Sequence, residues 1–278
     1  MGNTPESRAA WFRHMQEMEP VCFHPEYELW EIFRYEDIQH VLFDYANFST
    51  EYVRLQGLPD VDDLGNTDPP RHRELRTIVS KAFTPRSIER LVPRILARVD
   101  ALLDKATVEG RMDVAAQLAF PLPVLTIAEL LGVPPEDQDR FRRWSYQLMG
   151  ALPNPDDPNY HELTGYFREM LDRRARDPQD DLMSALLAAE SNGQHLTRDE
   201  VVSLSVTLLL AGHITTTMMI NRAFYRFDKQ PEIFAALRAD PGLIPGAIEE
   251  VLRYEFSMSN LLRLVRRDTA LAGHQLKE

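Results

Sequence analysis

His72 and Arg76, four residues apart in DPPRHRELRTIVSKAF, are the first candidates for chemistry in this chain. At i, i+4 on a helix they project from one side. An imidazole beside a guanidinium suits a carboxylate or a phosphate, which such a pair binds through charge-assisted hydrogen bonds. The plain alternative is a solvated basic face. Glu250 and Arg253, in AIEEVLRYE, meet at i, i+3. By themselves they read as a surface ion pair worth under about 1 kcal/mol. The third group is Ala211-Gly212-His213-Ile214-Thr215-Thr216, inside VVSLSVTLLLAGHITTTMMIN, a stretch of 21 residues with no formal charge. Gly costs roughly 1 kcal/mol in a helix interior, and successive Thr are stiff and weak helix formers. Either another element packs closely there, or a ligand approaches the backbone and uses the hydroxyls. Cys22, His24 and His14 make a weak metal-ligand set, because Cys-x-His is common without a metal.

These side chains need helices to hold them, and the spacing predicts mostly helix. Helical patterns cover Pro5–Met18 (Trp11, Phe12, Met15 and Met18 on one side), 35–43, 71–83 and 85–108. Pro69-Pro70 opens the helix with His72, a placement that proline tolerates. Further helices are expected over 121–131, 136–150, 160–176 and 180–192, with Gly132 and Pro134 stopping the first. Thr197 and Glu200 form a capping box, T-x-x-E, ahead of the uncharged stretch. From Thr197 to Gln230 the helix would run about 50 Å at 1.5 Å per residue. Helices near 231–239 and 243–256 follow. Leu29–Arg34 alternates like a strand, Met112–Val114 reads as a short strand, and 49–68 is a long loop. No βα alternation and no Gly-rich phosphate loop occur.

Composition limits the function classes. The 278 residues carry a formal charge of −12, which argues against nucleic acid as the main partner. A single cysteine, Cys22, rules out an intrachain disulfide framework and fits a cytoplasmic setting. The uncharged stretch is long enough to raise a membrane span. Ser, Thr, Gly, His and Asn interrupt it, and the N-terminus has no signal-peptide core. The expectation is a protein without a membrane or nucleic-acid partner.

Taken in order, FST (48–50), DPPRHRELR, KAFTPR, FPLP, IAELLGVPPED, DDLMSALL, LLLAGHITTT, EEVLRYE and RLVRRDTALAG resemble the bacterial soluble cytochromes P450, haem-thiolate monooxygenases. The resemblance runs from about Pro20 to the last residue and covers the family's N-terminal two-thirds. It implies a mainly α, cytochrome P450-like fold with small β elements, as one incomplete domain over 1–278 that stops before the cysteine-ligand loop. It implies haem b and O2-dependent oxidation of a small hydrophobic organic substrate, with a ferredoxin or flavodoxin as electron donor. His72, Arg76 and Arg263 match the haem-propionate ligands. Ala211 and Gly212 match the small pair that lets the porphyrin approach, and Thr215 matches the hydroxyl that relays protons. Glu250 and Arg253 match a buried structural ion pair. Leu208, Ala211, Ser257, Asn260 and Leu261 match substrate contacts, with the 51–66 loop and the 144–160 region. Arg71, Arg73, Lys81, Arg86 and Arg90 would make a basic docking face.

The departures matter as much. The family places an acid where Ile214 stands, and an isoleucine passes no proton. The axial ligand is a Cys in a Phe-Gly-x-Gly-x-His-x-Cys-x-Gly loop, which these 278 residues do not contain; no metal ligand is assigned. Without a thiolate the chain has no ligand that drives O–O cleavage, and it is expected to be inactive as it stands. The alternative is a degenerate, non-catalytic protein that binds haem or a hydrophobic ligand. NRAFYRFDKQ (221–230), charged where the family's helix is apolar, would mark drift or a frame error.

Overall fold

A computed structural model describes residues 5–52, 64–83, 85–148, 156–191, 193–254 and 260–278. The chain divides into two compact units. The smaller comprises Met1–Gly57, Asn66–Pro69 and Leu262–Glu278; the larger comprises Leu58–Gly65 and Pro70–Leu261.

The smaller unit holds helices α1 (Pro5–Met18) and α2 (Tyr35–Phe43) and three two-stranded antiparallel ribbons. The ribbons are β1 (Val21–His24) with β2 (Leu29–Ile32), β3 (Phe48–Ser49) with β6 (Leu264–Val265), and β7 (Thr269–Leu271) with β8 (His274–Leu276). Two-stranded ribbons are marginal alone and need an apolar face to cover. Here Val21, Val41, Phe48, Leu271 and Leu276 form that core, with Trp30, Ile32 and Val265 against it. Val21–His24 escapes a period-based reading, since four residues are too few for alternation to declare itself; its cross-strand partners define it. On α1, Met15 is buried, but Met18 at the helix end is exposed.

The larger unit is helical. It contains α3 (Arg71–Ala82), α4 (Pro85–Glu109), α5 (Pro121–Leu130), α6 (Gln138–Gln147), α7 (Pro158–Arg176), α8 (Leu182–Ala188), α9 (Arg198–Lys229), α10 (Pro231–Ala239) and α11 (Ile244–Tyr254). The N-terminal part of α9 is the centre of its core. Val201, Val202, Leu204, Val206 and Leu209 are buried among Val124 and Ala128 of α5, Leu163, Phe167, Met170 and Leu171 of α7, and Trp144 of α6. The Trp144 indole N–H is satisfied by Glu162 Oε2 at 2.9 Å. One described helix, α9, is long and apolar enough to cross a membrane by length and composition; these contacts make its N-terminal part, from Val201 to Leu209, an internal element.

Two local expectations fail. Met112–Val114 is not a strand. Asp113 Oδ1 accepts the Ala116 N–H at 3.0 Å, and Gln117 Oε1 accepts the Asp113 N–H at 2.7 Å. This reciprocal capping starts a helical turn, which runs through a π-helical segment at Ala115–Ala119 into α5. The helix expected over 180–192 ends at Ala188, and a small hairpin follows: β4 (Glu190–Ser191) with β5 (Gln194–His195). Its turn uses Gly193 at φ +78°, a conformation open mainly to glycine.

Candidate functional site

The capping box that starts α9 is complete. Thr197 Oγ1 accepts the Glu200 N–H at 3.2 Å, and Glu200 Oε2 accepts the Thr197 N–H at 2.6 Å. The other Glu200 oxygen pairs with Arg71 at the start of α3, and Arg71 also holds Glu74 at 2.8 Å. One buried carboxylate thus caps the central helix and fastens to it the helix carrying His72 and Arg76. The cap is legible locally in the sequence but the tie is not, because Arg71 and Glu200 are 129 positions apart.

Burial would push the Glu200 carboxyl up, but hydrogen bonds from Thr197 and Arg71 outweigh it and hold it below the ordinary glutamate range. A depressed carboxylate contributes stability that is complete above its unfolded value, about 4.3, and lost as pH falls through the folded value. Glu200→Gln keeps an acceptor but loses the charge. It is expected to cost about 1.5–3 kcal/mol at pH 7, the range for a hydrogen bond to a charged group. It should also flatten the acid limb of stability below about pH 4.3, read as urea midpoint against pH.

On α3, His72, Arg73, Arg76, Thr77, Ser80 and Lys81 line an open hollow of about 510 Å³. His72 is half-buried and Arg76 exposed. Among the described residues neither has a hydrogen-bond or ion-pair partner, whereas Arg71 and Arg90 are tied to Glu200 and Asp180. Three cations and an imidazole around a hollow favour an anionic group there.

The middle of α9 has two faces. His213 and Thr217 are buried, on the side of Leu209. His213 Nδ1 lies 2.7 Å from the Leu209 carbonyl and so carries the proton. Burial holds the imidazole below its ordinary value, hence neutral. Ser145 Oγ, His213 Nε2 and Thr217 Oγ1 are buried without a partner among the described residues. At 100° per residue, Ala211 and Thr215 lie on the opposite face from His213. Ala211 and Gly212 are exposed in mid-helix, and Leu208, Thr215 and Thr216 are half-buried. Thr215 Oγ1 donates to the Ala211 carbonyl at 2.9 Å and Thr216 Oγ1 to Gly212 at 3.2 Å. Gly212 also has a packing reason: a Cβ there would stand 3.3 Å from Ile127 Cδ1 of α5.

Glu250 and Arg253 form a two-pronged pair on α11, both bonds 2.7 Å. The guanidinium holds Glu250 below the usual carboxylate range. The expected burial is not found: the side chains are 60% and 67% exposed. The physical reason is that α11 buries no residue, and Ile244, Ile248 and Leu252 along it are exposed as well. The charged run after Asn221 is regular helix, with Arg226 over the Tyr254 ring at 5.0 Å and Lys229 over Tyr225 at 5.5 Å.

In the smaller unit, Asp68 binds both hydroxyls of the FST motif. Ser49 Oγ donates to Asp68 Oδ2 at 2.5 Å; the Thr50 N–H and Oγ1 donate to Oδ1 at 3.1 and 3.0 Å. Arg266 Nη1 lies 3.6 Å from the same carboxylate. Arg263 is half-buried in this unit; burial pulls its guanidinium below the ordinary value, against Asp68 and Tyr52, which raise it. Asn260 and Leu261 are exposed. Ser257, residues 53–63 and 149–155, and the side chain of Arg86 lie outside the described residues.

The residues present suit one side and one edge of a flat apolar group with anionic substituents. Ala211 and Gly212 leave uncovered backbone in mid-helix, and the α3 hollow offers unpaired donors. They do not supply a thiolate: Cys22 lies on β1, with its Sγ 3.2 Å from His24 Nε2. A protein-family model described as "Cytochrome P450" matches residues 160–241. Among similar proteins, the "Cyclomarin C epoxidase CymV" of Salinispora arenicola is 41% identical over 281 residues, covering 96% of this chain and 71% of its own length. The "Erythromycin C-12 hydroxylase" of Saccharopolyspora erythraea is 40% identical, covering 95% of this chain and 68% of its own. The structure of substrate-free CYP109E1 from Bacillus megaterium superposes with a TM-score of 0.88 at 34% identity, covering 96% of this chain and 73% of that one.

Proposed function

The chain belongs to the cytochrome P450 family, and from that premise we propose that it holds haem against the middle of α9 for the oxidation of a small hydrophobic molecule. The observation that carries this reading is the cationic hollow on α3, on a helix fastened to α9 through Arg71 and Glu200. Haem, if bound with a thiolate ligand, would supply oxygen activation; Cys22, the one cysteine in these 278 residues, lies on β1.

The chain's own residues then have distinct tasks. His72 and Arg76 bind the propionate carboxylates through charge-assisted hydrogen bonds. Ala211 and Gly212 let the flat ring approach the backbone, since neither has a side chain beyond Cβ. The Thr215 hydroxyl holds a proton now directed at the Ala211 carbonyl; rotation about χ1 turns it outward. Ile214 carries no proton, so Thr215 is resupplied by solvent rather than by its neighbour. Leu208, Ala211, Ser257, Asn260 and Leu261 contact the substrate. An epoxidase and a hydroxylase among the relatives indicate oxygen insertion into C=C or C–H bonds. Electrons come from a ferredoxin or flavodoxin in the cytoplasm, steered by Arg73 and Lys81.

Haem titration tests the site. His72→Ala/Arg76→Ala is expected to weaken haem binding by at least about 10-fold, with about 10–100-fold for each hydrogen bond to a charged group that is lost. Unchanged affinity would remove the α3 hollow from the site. A thiolate-type band in the reduced carbonyl spectrum would overturn the statement that this chain supplies no axial sulfur.

A further inference from the structure

We propose that the β1–β2 hairpin carries a zinc site built from Cys22 Sγ, His24 Nε2 and Glu31. The three ligand atoms lie within 4.8 Å of one another. Their convergence follows from the ribbon. Cys22 and Glu31 are directly opposed in the antiparallel register, and His24 lies two residues from Cys22, so all three share one face. His24 Nε2 stands 3.2 Å from Cys22 Sγ and 2.9 Å from Glu31 Oε2.

The geometry nearly fits a tetrahedral ion. Zinc bonds of about 2.3 Å to sulfur and about 2.0–2.2 Å to nitrogen and oxygen place tetrahedral ligand atoms roughly 3.3–3.6 Å apart. His24 Nε2 needs to separate from Cys22 Sγ and Glu31 Oε2 by only a few tenths of an ångström, and the Cys22 and Glu31 ligand atoms already lie within 4.8 Å of each other. All three residues are half-exposed, so solvent reaches the fourth position. One thiolate, one imidazole and one carboxylate select zinc over magnesium or calcium, which prefer oxygen alone.

A competing use would be a Cys-His-Glu nucleophile. Burial first, then the charges of Glu31 and Glu19, push the Cys22 thiol up, so at neutral pH it keeps its proton. That disfavours a free thiolate. The same negative surroundings attract a dication, which forms the Zn–S bond while the thiol proton leaves to solvent. Bound zinc would clip the two strands together. Glu31 was invisible to local spacing, which offered His14; only the strand register brings it to Cys22.

The test uses the full chain, stripped with a chelator and titrated with zinc. One zinc per chain is expected, with an X-ray absorption spectrum showing one sulfur at about 2.3 Å and nitrogen or oxygen at about 2.0–2.2 Å. Cys22 is the only cysteine, so Cys22→Ser should remove the sulfur signal. It should weaken binding at least ~100-fold, beyond the ~10–100-fold cost of losing an outer-shell partner. Glu31→Gln keeps the hairpin's shape and should weaken binding at least ~10-fold. A spectrum of nitrogen and oxygen alone, two sulfurs per zinc, or Cys22→Ser and Glu31→Gln variants that bind like the wild type would each overturn the site. Should Cys22→Ser fail to fold, the wild-type absorption spectrum and Glu31→Gln still decide.

Discussion

Asp68→Ala is expected to destabilise the smaller unit by about 3 kcal/mol or more, since each buried donor it leaves unsatisfied costs about 1–3 kcal/mol. The carboxylate is 7% exposed and accepts from Ser49 Oγ, the Thr50 N–H and Thr50 Oγ1. Alanine strands Ser49, which is 1% exposed and has its hydroxyl aimed at the missing oxygen. Only part of the donors' demand can pass to water at such a depth. The loss is a large share of a stability of about 5–15 kcal/mol. A urea titration followed by tryptophan fluorescence, to which Trp11 and Trp30 of this unit contribute beside Trp144 of the larger one, should show the smaller unit's midpoint fall sharply. Asp68→Asn, which keeps one acceptor, should lie between. A midpoint within experimental error of the wild type would show that FST and DPP are not joined through this carboxylate.

Gly132→Ala is expected to cost about as much in the larger unit, for two independent reasons. Gly132 has φ +84°, where a side chain is strained, at about 1–3 kcal/mol. An added Cβ would also stand 2.6 Å from Asp181 Cγ and 2.8 Å from its Cβ. Asp181 cannot yield cheaply. It caps α8 by accepting the Ser184 N–H at 2.8 Å and pairs with Arg174, which itself donates to the Gly132 carbonyl at 2.9 Å. Displacing it loses a cap, about 0.5–2 kcal/mol, together with the ion pair. A total of roughly 3–5 kcal/mol is expected, read as a thermal midpoint several degrees lower. A shift below about 1 kcal/mol, the low end of backbone strain alone, would mean that Asp181 moves aside freely.

The two cases separate what local sequence reveals from what it hides. Gly132 is legible as the stop of α5, because glycine after an apolar helix has a local meaning. Its close approach to Asp181 is not, because that neighbour arrives from 49 positions away (181 less 132). Likewise FST and DPP are legible as motifs, but the hydrogen bonds joining them are not. The capping box at Thr197 and Glu200 is fully local and stands as read, while the second use of Glu200, on Arg71, depends on how α3 packs against the unit. Short strands such as Val21–His24 and Glu190–Ser191 leave too few residues for periodicity; pairing partners define them.

By itself, the sequence determined the helical class, the long α9 with its cap, the i, i+4 pair His72 and Arg76, and the ordered motifs that mark the cytochrome P450 family. All of these rest on spacing along one element, where 3.6 residues per turn fixes which side chains are neighbours. Only the tertiary structure decided burial and partnership. It left the Glu250–Arg253 pair in solvent, buried His213 opposite Thr215, set Gly212 against Ile127, tied α3 to α9 through Arg71 and Glu200, and brought Glu31 to Cys22 and His24. The reason is common to all five. Exposure and cross-element contacts depend on which surfaces pack together, and no local period encodes that.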